Sequence, residues 1–293
     1  MLGQLGLAHE LFDEPLFPVG TLYDPFVCRG LDAFIYSLYS GSRFIVVATP
    51  SGVTLSPEGG AHQSMITPSI GTELPGVTFW EPCFAYETEV VLLEAFRNLA
   101  EEGEDGGSAY LRLSTKPIEQ SLLTVPKDEG ERQRMRSAIV SGAHRVVDRS
   151  QLAGYRPGRN VVTIAASGAM VPEAIQASQS LLEDDVFVNV VSVTSIDRLF
   201  REFTRSTHQS VDRLDTRATW SFGPWEHAPL VTVLDGHAHT HAWLGTALGV
   251  PTVALGVDGF GSSGMPEDLY RRFRIDAGTV AEACVSMIDV TAL

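Results

Sequence analysis

Apolar residues follow two patterns along this chain: short unbroken runs, and longer stretches in which they recur every three or four positions. Residues 44–48, Phe-Ile-Val-Val-Ala, form a continuous run rich in β-branched side chains, as expected for a strand buried on both faces of a parallel sheet. Similar runs predict strands over 16–22, 76–80 and 109–113. Helical spacing predicts helices over 2–12, 29–39 and 85–101, the last with Val90, Leu93, Phe96 and Leu99 as its apolar face. A second series follows, with strands over 160–166, 186–193, 230–234 and 252–257. Helices fall between them over 171–182, where Pro172 sits in the first turn, and over 242–248. Alternation of strand and helix predicts an α/β fold of two domains with largely parallel sheets.

Breaks in the pattern supply the organisation. After residue 48 the apolar run stops, and Pro50, Ser51, Gly52, Pro57, Gly59 and Gly60 predict a tightly folded loop rather than a helix. Residues 103–107, GEDGG, predict a solvated turn, and the polar stretch 204–225 an irregular surface excursion. From about 116 to 133 the composition shifts to Pro, Lys, Asp, Glu and Gly without apolar periodicity, which predicts a linker. The domain boundaries expected are 1–125, a linker over 126–135, and 136–293. No internal repeat stands out.

At 293 residues, each of two domains can bury a real core. The 36 acidic and 21 basic residues leave a net charge of -15, which repels phosphate backbones and argues against nonspecific nucleic-acid binding. Cys28, Cys83 and Cys284 are too few and too scattered for a disulfide framework or a CxxC metal site. The first residues lack a basic leader and carry Glu10, Asp13 and Glu14, unlike a signal peptide, and no run reaches membrane-spanning length. A cytoplasmic, membrane-free protein is expected.

Candidate chemistry concentrates in the loop after the strand at 44–48. Ligand sites in open α/β sheets lie beyond the carboxyl ends of strands, where this loop places Glu58 and His62. An acid and an imidazole there can share proton transfer; a solvated Glu and a turn-capping His are the plain alternative. Tyr23 and Phe26, at another strand end, either face a heteroaromatic ring or pack in the core. In Asp235-Gly236-His237-Ala238-His239-Thr240-His241, alternate histidines on an extended segment could ligate zinc, whereas a helix starting there would scatter them. Residues 258–264, DGFGSSG, form either an anion-holding nest or a simple turn. There is no P-loop GxxxxGK[ST], and no GxGxxG opens a helix after a strand, so neither nucleotide fingerprint is available.

Taken in order, GTLYDPF, ATPSGVTLSPEGGAHQS, AYETEVVLLEAF, YLRLST and LGVDGFGSS resemble the C-terminal part of the transketolase-like thiamine diphosphate enzymes. The likeness covers nearly the whole chain and is nearest the decarboxylating component of homodimeric pyruvate dehydrogenase. It implies a pyrimidine-binding domain lacking its start, followed by a transketolase C-terminal domain. By this resemblance Phe26, with Tyr23 beside it, meets the aminopyrimidine of thiamine diphosphate, and Glu58 and His62 face the substrate. The family's cofactor-activating glutamate would fall just before Met1, and the domain that holds the diphosphate through Mg2+ has no counterpart here. Ser262 stands where pyruvate-type relatives carry a basic residue, and the three histidines near 237 are not part of the pattern.

The resemblance therefore implies part of an enzyme that decarboxylates a 2-oxo acid or transfers a two-carbon unit, inactive alone. Its expected partner is a second copy in a homodimer, or a chain carrying the diphosphate-binding domain, and a lipoyl acyltransferase component is left open. Two other readings stand beside it: a non-catalytic regulatory or metabolite-binding paralogue, and a metal-dependent hydrolase built on Asp235, His237, His239 and His241.

Overall fold

The computed structural model describes residues 1–101, 107–212 and 225–291. The chain has a mixed α/β fold with two sheets. In the first, β1 (Val19–Leu22), β2 (Ile45–Ala48), β3 (Val77–Trp80) and β4 (Ser108–Arg112) lie in the order β1-β2-β4-β3, all parallel. β2 is an interior strand, with Ile45 registered between Val19 and Ala109, and its unbroken apolar run follows from burial on both faces. β1 is an edge strand and alternates exposed with half-buried residues.

The second sheet contains β5 (Ala143–Val147), β6 (Val161–Ala166), β7 (Phe187–Val193), β8 (Leu230–Val233) and β9 (Thr252–Leu255), in the order β5-β7-β6-β8-β9. Only β5 runs antiparallel. β6, β7 and β8 are buried at every position, so their sequences read as continuous apolar runs.

The helix Ala85–Ala100 begins with Glu87 Oε2 reaching back to accept from the Phe84 N–H at 3.1 Å and the Cys83 N–H at 2.6 Å. Its buried face differs from the one the apolar spacing predicts. Val90, Val91, Ala95 and Leu99 are buried together with Glu87, Glu94 and Asn98, while Leu93 is 63% exposed. Tertiary partners account for the difference. Glu87 meets His144 of β5 at 2.6 Å and Glu94 meets Arg198 at 2.9 Å, so acidic residues go inward where a hydrogen-bonding partner waits. Burial opposes the charge of Glu87, yet bonding from His144 holds its carboxyl below the ordinary value.

Other elements depart from the pattern too. The first helix is two short ones, Leu2–Leu5 and Ala8–Phe12, broken at Gly6, where a Cβ would lie 2.3 Å from Ser42 Oγ. The helix Ile196–Asp212 occupies the start of the excursion expected over 204–225, and residues 213–224 lie outside the described residues. The helix Glu129–Ser141 starts within the stretch read as a linker; Asp128 caps it by accepting from Glu131 N–H at 2.8 Å, and Ile139 is its buried apolar residue. The GEDGG turn lies outside the described residues except for Gly107. β5 and the helices Pro266–Phe273 and Ala277–Thr291 are not among the elements the pattern predicts.

The two sheets pack on each other. One apolar cluster joins Phe44, Phe79 of β3 and Tyr110 of β4 to Val191 of β7, Leu230 of β8 and Leu244 of the helix His239–Leu248.

Candidate functional site

The loop after β2 is tightly folded, as its glycines and prolines predict, and winds as two short 3-10 segments, Val53–Glu58 and Gly60–His62. Its entry depends on Gly52, which adopts φ 64°; a Cβ there would lie 2.2 Å from Asp235 Oδ2. The absence of a side chain lets the buried Asp235 carboxylate accept from Val53 N–H at 2.8 Å and Thr54 N–H at 2.9 Å. Asp235 follows β8, so a residue of the second sheet sets the path of the loop that carries Glu58 and His62.

Because β1 and β2 are paired, the segment after β1 lies beside this loop. Tyr23 Oη donates to Glu58 Oε1 at 3.3 Å, and Tyr23 stacks on Phe26 with centroids 5.8 Å apart and planes 15° from parallel. The His62 ring stands edge-on to both, 6.0 Å from Tyr23 and 5.9 Å from Phe26. All four residues singled out from the sequence thus meet in one cluster, with Glu58 exposed and His62 half-buried. The neighbouring Glu58 carboxylate raises the Tyr23 pKa, keeping the hydroxyl a donor. Arg29 places its guanidinium 4.7 Å from the Phe26 centroid.

Behind this cluster lies a buried polar hub that sequence reading missed. Arg112, at the end of β4, donates from Nε to Asp24 Oδ2 at 3.0 Å and from Nη2 to the Asp235 carbonyl at 2.7 Å, and pairs through Nη1 with Glu81. Asp24 also accepts from Tyr110 Oη at 2.6 Å and from Thr67 Oγ1 at 2.5 Å. One guanidinium therefore ties the Tyr23–Phe26 segment, the end of β3 and the second sheet together. The available signal was a charge in an otherwise apolar run: Arg112 closes Ala-Tyr-Leu-Arg, and Asp235 ends Val-Thr-Val-Leu-Asp.

The hub predicts a pH dependence. Burial pushes the Glu81 carboxyl up to about 7 from 4.5, with Arg112 pulling it down and Asp235 and Asp24 adding to the rise. Between these values the folded chain keeps a proton that the unfolded chain has released, so this contribution to stability is complete below 4.5 and lost as pH rises through 7. The loss is on the order of 3 kcal/mol. In E81Q that part of the pH slope should vanish, read as the wild-type-minus-variant difference in urea unfolding at pH 5 and pH 7.5; parallel profiles would assign the slope to other groups.

The histidines do not share one face. The helix His239–Leu248 begins among them; His237 and His239 approach at 2.7 Å between Nδ1 atoms, while His241 is fully buried with Nε2 3.1 Å from Ser167 Oγ. Burial lowers the His241 pKa to about 3, keeping the ring neutral. Asp235 is engaged with the loop at 53–54, and among the described residues no group of His, Cys, Asp and Glu is arranged to hold a metal. The glycine-rich segment 258–264 packs on the Glu58–His62 loop: Gln63 Nε2 donates to the Ser262 carbonyl at 2.9 Å and Gly264 N–H to the Ser56 carbonyl at 3.2 Å.

A cavity of about 240 Å³ opens beside Phe26, walled by Leu22, Val27, Phe34 and Val46. Its aromatic and aliphatic lining fits a neutral heteroaromatic ring, and no carboxylate is among the residues that line it. No described helix is long and apolar enough to cross a membrane.

Comparison with known proteins places these features in a family context. Residues 142–276 match the transketolase-like TK C-terminal domain. The pyruvate dehydrogenase E1 component of Mycolicibacterium smegmatis is 26% identical over 293 residues, covering 95% of this chain and 30% of that protein. A chromosomal transketolase of Cupriavidus necator is 27% identical, over 94% of this chain and 35% of its own length. The chain thus spans about a third of the curated relatives it matches. Among solved structures, a split-gene transketolase described as an inactive β4 tetramer shares the fold, with a TM-score of 0.67 at 18% identity over 99% of this chain and 83% of that one. Residues 142–276 thus match a transketolase-like C-terminal domain, in a chain similar over most of its length to pyruvate dehydrogenase E1 components and transketolases.

Proposed function

We propose that this chain is the pyrimidine-facing and substrate-facing part of a thiamine diphosphate-dependent enzyme, acting on a 2-oxo acid or a sugar phosphate. The observation that carries the reading is the convergence of Tyr23 and Phe26, which lines an apolar cavity, with Glu58 and His62 on a loop held by both sheets. In this reading residues 1–125 are the pyrimidine-binding unit, 126–135 the link and 136–293 the C-terminal domain. A partner chain or further polypeptide contributes the diphosphate-binding half with its Mg2+, in a dimeric cytoplasmic assembly that a lipoyl acyltransferase could serve.

The cofactor, when bound, supplies the carbanion chemistry. Phe26 and the cavity walls bind and orient the aminopyrimidine. His62 holds or delivers a proton at the substrate oxygen, and Glu58, which accepts from Tyr23, fixes the polar end of the site. Calorimetry with thiamine diphosphate and Mg2+ tests this, on the chain alone and on the chain joined to the diphosphate-binding half. Binding in the joined sample only is the expected result. Binding in neither overturns the proposal in favour of a regulatory or metabolite-binding paralogue.

A further inference from the structure

Arg272 is a cation without an acidic partner in a chain of net charge -15. On the helix Pro266–Phe273 its neighbour Arg271 pairs with Asp268 at 2.5 Å. Arg272 instead donates from Nη1 to the Ser262 hydroxyl at 2.7 Å, and its guanidinium lies 5.2 Å from the Phe273 ring centroid. Neither contact neutralises it, and among the described residues no carboxylate pairs with it. The side chain is exposed, with one N–H committed to Ser262 and its other donors open to a ligand.

Its position gives that free charge a use. Ser262 belongs to the segment that grips the Glu58–His62 loop, and the approach is close because Gly59 and Gly60 carry no side chains. A Cβ on Gly60 would lie 2.2 Å from the Gly261 carbonyl oxygen, and one on Gly59 would lie 3.1 Å from Ser263 Oγ. The segment that Arg272 holds through Ser262 therefore lies directly against the turn between Glu58 and His62. Bonded to Ser262 and laid against Phe273, the guanidinium is oriented before any ligand arrives, which favours charge-assisted bonds to planar or tetrahedral oxyanions.

We propose that Arg272 is a specificity-determining residue, binding the anionic group of the substrate, carboxylate or phosphate, from the Ser262 side of the Glu58–His62 site. The inference rests on the substrate-facing reading of that loop and adds to it the residue that holds the substrate's anionic group. Ser262 serves as a positioning residue, holding the guanidinium through its hydroxyl.

The chain is titrated with oxamate, as a 2-oxo acid carboxylate probe, and separately with inorganic phosphate, following heat by calorimetry and the His62 ring signals by NMR. Wild type is expected to bind at least one probe with a shift of the His62 signals. R272M should weaken that binding by about tenfold or more, since it removes a charge-assisted hydrogen bond. R272K should fall between them, and S262R combined with R272M should restore binding by returning a guanidinium to the loop. Tighter oxamate binding identifies a 2-oxo acid carboxylate as the ligand group, and tighter phosphate binding a sugar phosphate. The proposal is overturned if neither anion binds, if R272M binds as wild type does, or if binding leaves His62 unmoved. Arg272 is exposed, so unchanged thermal melting of R272M is expected and excludes misfolding as the cause. Arg272-dependent anion binding without thiamine diphosphate binding in the joined sample would sink the catalytic reading alone. Thiamine diphosphate binding with Arg272-independent titrations would sink this proposal alone.

Discussion

Replacing His62 by alanine is expected to lower turnover by about two to four orders of magnitude once the diphosphate-binding half is present, the usual worth of a positioned proton-transfer group. Thiamine diphosphate affinity should stay within about threefold of wild type, because the ring meets Tyr23 and Phe26 edge-on and does not wall the cavity. Single-turnover kinetics separates the two quantities. Equal losses in turnover and cofactor affinity would mean that His62 props up the aromatic pair instead of facing the substrate. E58Q should have a smaller effect, since a glutamine oxygen can still accept from Tyr23 Oη.

The largest stability effect should come from Arg112. R112M strips donors from the Asp24 and Glu81 carboxylates and from the Asp235 carbonyl, all inside the fold. Breaking a buried ion network by removing one partner typically costs about 3–5 kcal/mol, because the abandoned charges keep their desolvation penalty. Urea unfolding at neutral pH would register this as a lower midpoint. R112K should not rescue it, as an ammonium lacks the planar fork that reaches Asp24, Glu81 and Asp235 together. A loss below about 1 kcal/mol, the size of an exposed pair, would show that water enters the hub and relieves it.

How far the site was legible follows from which interactions are local. Glu58 and His62 share a loop whose strand, β2, is unmistakable in the sequence, so their proximity to a sheet's carboxyl end could be read directly. Tyr23 and Phe26 could be placed at a strand end, but their meeting with His62 depends on β1 pairing with β2. The zinc reading of Asp235 and the histidines failed for a similar reason. Whether that segment is extended or helical, and what Asp235 bonds, is decided by the loop at 53–54 arriving from the other sheet. The apolar face expected for the helix Ala85–Ala100 shifted because Glu87 and Glu94 found His144 and Arg198. Arg112 itself sits in a strand whose neighbours are all apolar, where a charge could equally have marked an exposed position.

By itself the sequence determined the elements governed by period and punctuation: the buried parallel strands, their alternation with helices, the glycine-rich turns and the acidic surface. Those properties depend on neighbours a few residues away, through backbone sterics and the exclusion of apolar side chains from water. Only the tertiary structure decided which carboxylates would be buried and paired, which glycines admit a close approach, and where the Arg272 guanidinium would be held. These depend on groups far apart in the chain, as when Asp235 meets Gly52 and Gly261 meets Gly60 beside His62. A buried charge is tolerated only where its partner arrives, and that partner is fixed by packing.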